Sequence, residues 1–237
     1  MSWTDTKSVE AIKYLRDRFQ VKEFIETGTF KGINARRHSK NFEKITTCEI
    51  KQEYFNDATN NLQGYLNIKQ VLGESPIFLK KIINEYKKEK RKDIIIFYLD
   101  AHFYNPELPL CKRFVVLDEL NSLKNFKKGI IIIHDFDNGL GHIIYDGIPL
   151  GMNILKEPLL KVNKKFYFYT NTLESCKIVK PKVEEIERAG LIADKDTLEN
   201  LEYVWASQIK AFRGILYCLT EKLNEDELIK LGLKIWE

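Results

Sequence analysis

Two apolar runs constrain the fold of this chain more than anything else in it. They are Ile94-Ile95-Ile96-Phe97-Tyr98-Leu99 and Ile130-Ile131-Ile132-Ile133. Neither shows the polar alternation of a half-buried strand, and both are far too short to span a membrane. Runs of this kind belong to strands buried on both faces, at the centre of a parallel sheet with helices on either side. Each run ends in acid: Asp100 after the first, His134-Asp135 after the second.

Three further strands are expected ahead of them, at 21–26, 44–49 and 67–72. Helices are expected at 31–40, at 51–62 and from Ser75 to about Lys90. Between the two central runs, Phe114, Val115, Leu117, Leu120 and Leu123 recur at helical spacing within 110–126. Five strands alternating with helices over 21–134 predict a doubly wound α/β sheet. An amphipathic helix at 8–19, carrying Val9, Ile12, Leu15 and Phe19, is expected to cover it. Beyond the Gly-rich loop at 136–151, a helix at 152–161 and a strand pair at 165–170 and 175–179 are expected. Helices are then expected at 182–189, 196–222 and 225–231, with Trp205, Ile209, Phe212, Leu216 and Leu219 as an apolar stripe. This divides the chain into a ligand-binding domain at 1–180 and a helical C-terminal extension at 181–237, packed on the same domain and able to form a homo-oligomer surface.

At 237 residues and 44% hydrophobic, the chain can build one large core. Its formal net charge of +4 is only mildly basic, and the Lys87–Lys92 run reads as a solvated helix end ahead of a nucleic-acid patch. Cys48, Cys111, Cys176 and Cys218 are widely spaced, with no metal or redox spacing. The N-terminus has no basic start leading into an apolar core. A reduced, cytoplasmic, non-membrane protein is expected.

Ligands of open parallel sheets bind beyond the carboxyl ends of the strands, so the residues after each strand matter most. The first strand leads into Glu26-Thr27-Gly28-Thr29-Phe30-Lys31-Gly32. Its G-x-x-x-G spacing is not the G-x-G-x-x-G of dinucleotide sites, because Thr29 stands at the middle position. A cofactor without a diphosphate is therefore favoured, with Gly28 leaving space for a ligand and Gly32 opening the helix. Glu49 ends the second strand about 20 residues beyond the turn, where an acid can bind ribose hydroxyls. The alternative for Glu49 is a solvent-exposed carboxylate capping the next helix. Glu74 and Ser75 follow the third strand, either beside an adenine or as a helix cap. Asp100 and Asp135 can share a divalent cation through hard oxygen ligands, or Asp100 can contact the cofactor while Asp135 caps a loop. His102 follows Asp100 into the proposed cleft and is favoured over His134 as a general base.

Together these segments resemble class I S-adenosylmethionine-dependent methyltransferases. FIETGTFKG is similar to their first motif, TTCEI to the second and LGES to the adenine-side motif. FYLDAHFYNPELPL, LDEL and IIIIHDF most resemble the macrocin and FkbM-like O-methyltransferase branch. The resemblance covers about 21–180 and implies a mostly parallel, seven-stranded Rossmann-like sheet. It implies S-adenosylmethionine bound by Glu26, Gly28, Thr29, Gly32, Glu49, Glu74, Ser75 and Asp100. It also implies Mg2+ on Asp100 and Asp135, with His102 as base and a small-molecule or sugar-like hydroxyl as acceptor. His-Asp-Phe stands where many relatives carry two acids or Asp-Asn. A nucleic-acid acceptor and a non-catalytic scaffold are the alternative readings.

Overall fold

The computed structural model describes residues 6–101, 107, 114–139, 149–172 and 214–236. Its centre is an eight-stranded mixed sheet in the order β3-β2-β1-β4-β5-β7-β6-β8. The strands are β1 (Glu23–Thr27), β2 (Lys44–Glu49), β3 (Ile68–Leu72), β4 (Ile95–Leu99), β5 (Gly129–His134), β6 (Tyr167–Asn171), β7 (Ile215–Leu219) and β8 (Leu233–Ile235). The first five pair in parallel. β7 runs antiparallel to both β5 and β6, and β8 runs antiparallel to β6. Strand order reverses between β1 and β4, so the outer ends of those two strands form the switch point.

Seven helices among the described residues cover the sheet: α1 (Thr6–Phe19), α2 (Ile33–His38), α3 (Gln52–Asn61), α4 (Ser75–Lys88), α5 (Val115–Ser122), α6 (Met152–Val162) and α7 (Glu225–Leu231). Alternate strand residues feed two cores, as the two-residue period of a strand requires. Ile25, Phe97, Ile131 and Leu216 pack against α4, α5 and α6. Phe24, Tyr98, Ile132 and Tyr217 pack on the other face against α1 and the short helices α2 and α3. This double burial is why β4 and β5 read as unbroken apolar runs.

The expected seven-stranded, mostly parallel sheet with a helical C-terminal extension needs correction. Residues 215–219, expected inside a helix, are β7 and lie between β5 and β6. Leu216 and Leu219 are three apart, which suits a helical stripe, but Ile215-Leu216-Tyr217-Cys218-Leu219 is also a continuous apolar run, and all five are buried. A short run of this kind fits strand or helix equally, and tertiary burial decides. Gly214 admits the strand: a β-carbon there would lie 1.8 Å from the carbonyl oxygen of Phe136, whose N–H donates to Gly214 O at 2.9 Å.

The helix expected at 225–231 is present. An Asn224–Glu227 capping box starts it and left-handed Gly232 ends it. Glu227 also accepts from Tyr14 at 2.6 Å and from Arg18, tying α7 to α1. Gly232 then turns the chain into β8, which the sequence reading did not anticipate. The expected strand at 175–179 and helix at 182–189 lie outside the described residues, as does 196–213 of the expected helix at 196–222.

Candidate active site at the strand ends

The turn after β1 is clamped between its neighbours. Gly28 and Thr29 donate their N–H groups to Cys48 O at the end of β2, at 2.9 and 3.1 Å. On the other side Asp100 N donates to Thr27 O at 3.2 Å. Gly28 has φ +80°, and a β-carbon there would lie 2.4 Å from Asp100 O. The sequence reading gave Gly28 its glycine for ligand room. Within the protein, the close approach of β4 already demands it. Gly32 is the left-handed cap of α2, and a β-carbon on it would meet Leu62 Cγ at 2.8 Å.

Glu26 lies buried beneath this turn. Its carboxylate accepts from Asn34 Nδ2 at 2.8 Å and Thr47 Oγ1 at 2.6 Å, and Thr47 also contacts Thr29 Oγ1 at 2.6 Å. Burial pushes the Glu26 carboxyl up to about 8, against the two hydrogen bonds, and the charges of Asp100 and Glu49 add to the rise. Asn34 and Thr47 were missed in the sequence. The one available signal was two threonines, Thr46 and Thr47, on a central strand.

Glu49 is buried and holds the backbone on either side of the cleft edge. It is not a solvent-exposed cap of the next helix, since α3 has no side-chain cap bond. Oε2 accepts from Phe30 N at 2.9 Å, while Oε1 accepts from Ile50 N and Lys51 N, both at 3.0 Å. A carboxylate offers about four acceptor positions, so Oε2 retains capacity for one hydroxyl donor. Phe30, whose N–H Glu49 accepts, its chain neighbour Ile50 and its β3 partner Leu72 are exposed apolar side chains, as is Ile77 in the first turn of α4. Solvated large hydrophobics grouped at one sheet edge suit a flat apolar ligand. None of the four was singled out from the sequence. Glu74 is the exposed N-cap position of α4, without a side-chain cap bond, and Ser75 is its buried first residue.

At the ends of β4 and β5 the two expected acids do meet, with His134 between them. His134 Nδ1 lies 3.0 Å from Asp100 Oδ1 and 3.1 Å from Asp135 Oδ1. Tyr98 flanks the imidazole, ring centroids 6.0 Å apart. Burial pulls this imidazole down, and the two carboxylates more than reverse the effect, lifting it to about 9. Asp135 holds φ 55°, a left-handed conformation rare for a residue with a side chain, and this turns its carboxylate back toward His134. The candidate ligand atoms of Asp100, His134 and Asp135 all lie within 4.8 Å of one another. His102, the expected base, lies outside the described residues.

No protein-family model matches the sequence, and no curated protein matches it either. Among solved structures, a provisionally described sarcosine dimethylglycine methyltransferase from Galdieria sulphuraria matches with a TM-score of 0.51 at 15% identity, over 92% of this chain and 86% of that one. The chain has the class I S-adenosylmethionine-dependent methyltransferase fold. Other matches to this methyltransferase fold include a provisionally described caffeoyl-CoA O-methyltransferase from Staphylococcus aureus, at TM-score 0.47 and 15% identity over 90% and 83% of the two chains. The plantazolicin methyltransferase BamL matches at TM-score 0.47 and 12% identity, over 92% and 86%. In the methyltransferase fold of this chain, Glu49 ends β2, Asp100 and Asp135 follow β4 and β5, and Glu26 lies one residue before the end of β1.

Proposed function

We propose that this chain is an S-adenosylmethionine-dependent methyltransferase acting on a hydroxyl oxygen of a small-molecule or sugar-like acceptor. The observation that carries this reading is the convergence of Glu26, Glu49, Asp100 and Asp135 at the switch point of a methyltransferase sheet. S-adenosylmethionine supplies the methyl group as a sulfonium, whose positive charge is lost on transfer. Glu49 would hold the ribose hydroxyls of the cofactor, and Ile50, Leu72, Ile77, Glu74 and Ser75 would hold its adenine. Thr29 and Gly32 keep the turn against the ligand. Glu26 holds that turn from below through Thr47 and Asn34.

Asp100, His134 and Asp135 suit a divalent cation by donor type, with two hard carboxylates and one imidazole nitrogen. The nitrogen widens the choice from magnesium to manganese, iron or zinc. Such an ion would lower the pKa of an acceptor hydroxyl. Asp100 and Asp135 orient the acceptor, and His102, two residues beyond Asp100, takes its proton.

Thermal melting with S-adenosylmethionine, alone and with Mg2+ or Mn2+, tests the reading. Stabilisation by the cofactor, increased by a metal and lost in Asp135→Asn, is expected. His102→Ala should keep that stabilisation and lose methyl transfer to a hydroxyl acceptor. No shift at millimolar cofactor would overturn the proposal.

A further inference from the structure

A second cleft, of about 1000 Å³, opens at the opposite end of the sheet, where β4, β5 and β6 begin. Lys124, Lys127, Lys128, Lys161, Lys164 and Lys165 line it, all exposed. Two acids share the lining, and both already face cations: Glu157 pairs with Lys161 at 2.7 Å, and Glu221 lies 3.9 Å from Arg18. The other five lysines form no ion pair among the described residues. The cleft thus carries a surplus of four positive charges, equal to the formal net charge of the whole chain.

Helix ends explain only part of this. Lys161 lies in the last turn of α6 and Lys124 just beyond α5, where a cation complements the helix dipole. Lys127, Lys128, Lys164 and Lys165 sit in the connections beyond those turns. Their backbones are pinned. Ile95 N donates to Lys128 O at 3.0 Å, Asn125 N to Lys161 O at 3.1 Å, and Lys165 N to Asn163 Oδ1 at 3.0 Å. The lysines are therefore presented by a fixed frame.

We propose that this cleft binds the phosphate backbone of a nucleic acid. Five unpaired ammonium groups around a concave surface call for a polyanion. Lysine is the cation lining it among the described residues, and lysine serves phosphates as a point charge. Among the described residues no aromatic side chain lines it, so binding rests on phosphate charge and is independent of sequence. Among the described residues it offers none of the exposed large apolar side chains that would anchor a membrane. β4 separates it from Asp100 by about 17 Å, at roughly 3.3 Å per residue. The bound nucleic acid is thus held away from the acids, and the inference stands independently of the methyltransferase reading.

Fluorescence anisotropy of the full chain with a labelled oligouridylate of about twelve nucleotides tests this. Binding should weaken with salt, log K falling against log salt with a slope of about −0.7 per phosphate contacted. Replacing Lys127, Lys128, Lys164 and Lys165 together by Gln should weaken binding at least about tenfold and flatten that slope, at an unchanged melting temperature. Lys87→Gln with Lys88→Gln, on the exposed end of α4, should bind as the parent does. Equal loss in that control, or full binding by the cleft variant, would overturn the proposal. Competition by oligoglutamate as effective as by unlabelled RNA would also overturn it, and would assign the cleft to an acidic protein.

Discussion

A β-carbon on Gly28 would lie 2.4 Å from the carbonyl oxygen of Asp100. The turn after β1 and the end of β4 are therefore one packed unit, and Asp100 cannot shift without moving the turn. Asp100 N reinforces this by donating to both Thr27 O at 3.2 Å and Thr27 Oγ1 at 3.3 Å.

Gly28→Ala should accordingly destabilise the protein even without cofactor. The left-handed φ and the backbone clash together should cost on the order of 3 kcal/mol or more. Urea denaturation of the ligand-free protein reads this directly. A midpoint equal to that of the parent would show that β4 can give way, and would return Gly28 to a purely ligand-facing role.

Glu49 separates structure from binding in a graded way. Glu49→Ala deprives three part-buried backbone N–H groups of their acceptor and should cost on the order of 1–3 kcal/mol, because Phe30, Ile50 and Lys51 are exposed and water relieves their N–H groups. Glu49→Gln keeps an acceptor for Ile50 and Lys51 while turning an amide toward Phe30 N. It should fold with a smaller loss and bind S-adenosylhomocysteine at least about tenfold more weakly by calorimetry. Undiminished affinity in a folded Glu49→Gln variant would remove Glu49 from the cofactor site.

Glu26 sets a pH dependence of stability. Its carboxyl is raised from 4.5 to about 8 in the folded chain, chiefly by burial. Between those values the folded state holds a proton that the unfolded state releases. The contribution is therefore complete below about pH 4.5 and is lost as pH rises through about 8. In the ligand-free protein it amounts to a few kcal/mol, at about 1.4 kcal/mol per unit. Glu26→Gln keeps a neutral side chain at every pH and should flatten this fall. His134, raised to about 9, loses its own contribution over a higher window in both proteins, so the comparison isolates Glu26. Parallel stability curves for the two proteins between about pH 5 and 8.5 would show that Glu26 is already ionised in the fold.

Much of the parallel half of the sheet was legible in the residues themselves. β2 was expected at 44–49 and is Lys44–Glu49, while β4 and β5 lie on the two isoleucine-rich runs. Burial on both faces writes a strand into the chain as an unbroken apolar run, and amphipathic helices write theirs at every third or fourth residue. Acids after strands could likewise be counted along the chain, because topology alone sends those ends to one edge.

The sequence by itself determined which segments are strands or helices wherever burial imposes a period, and which acids terminate the parallel strands. Only the tertiary structure decided that Ile215–Leu219 enters the sheet, that Gly28 is a glycine because of Asp100, and that His134 stands between Asp100 and Asp135. In each case the deciding contact joins residues far apart in the chain. A local pattern records how a segment is buried and carries no record of which distant atom it meets there.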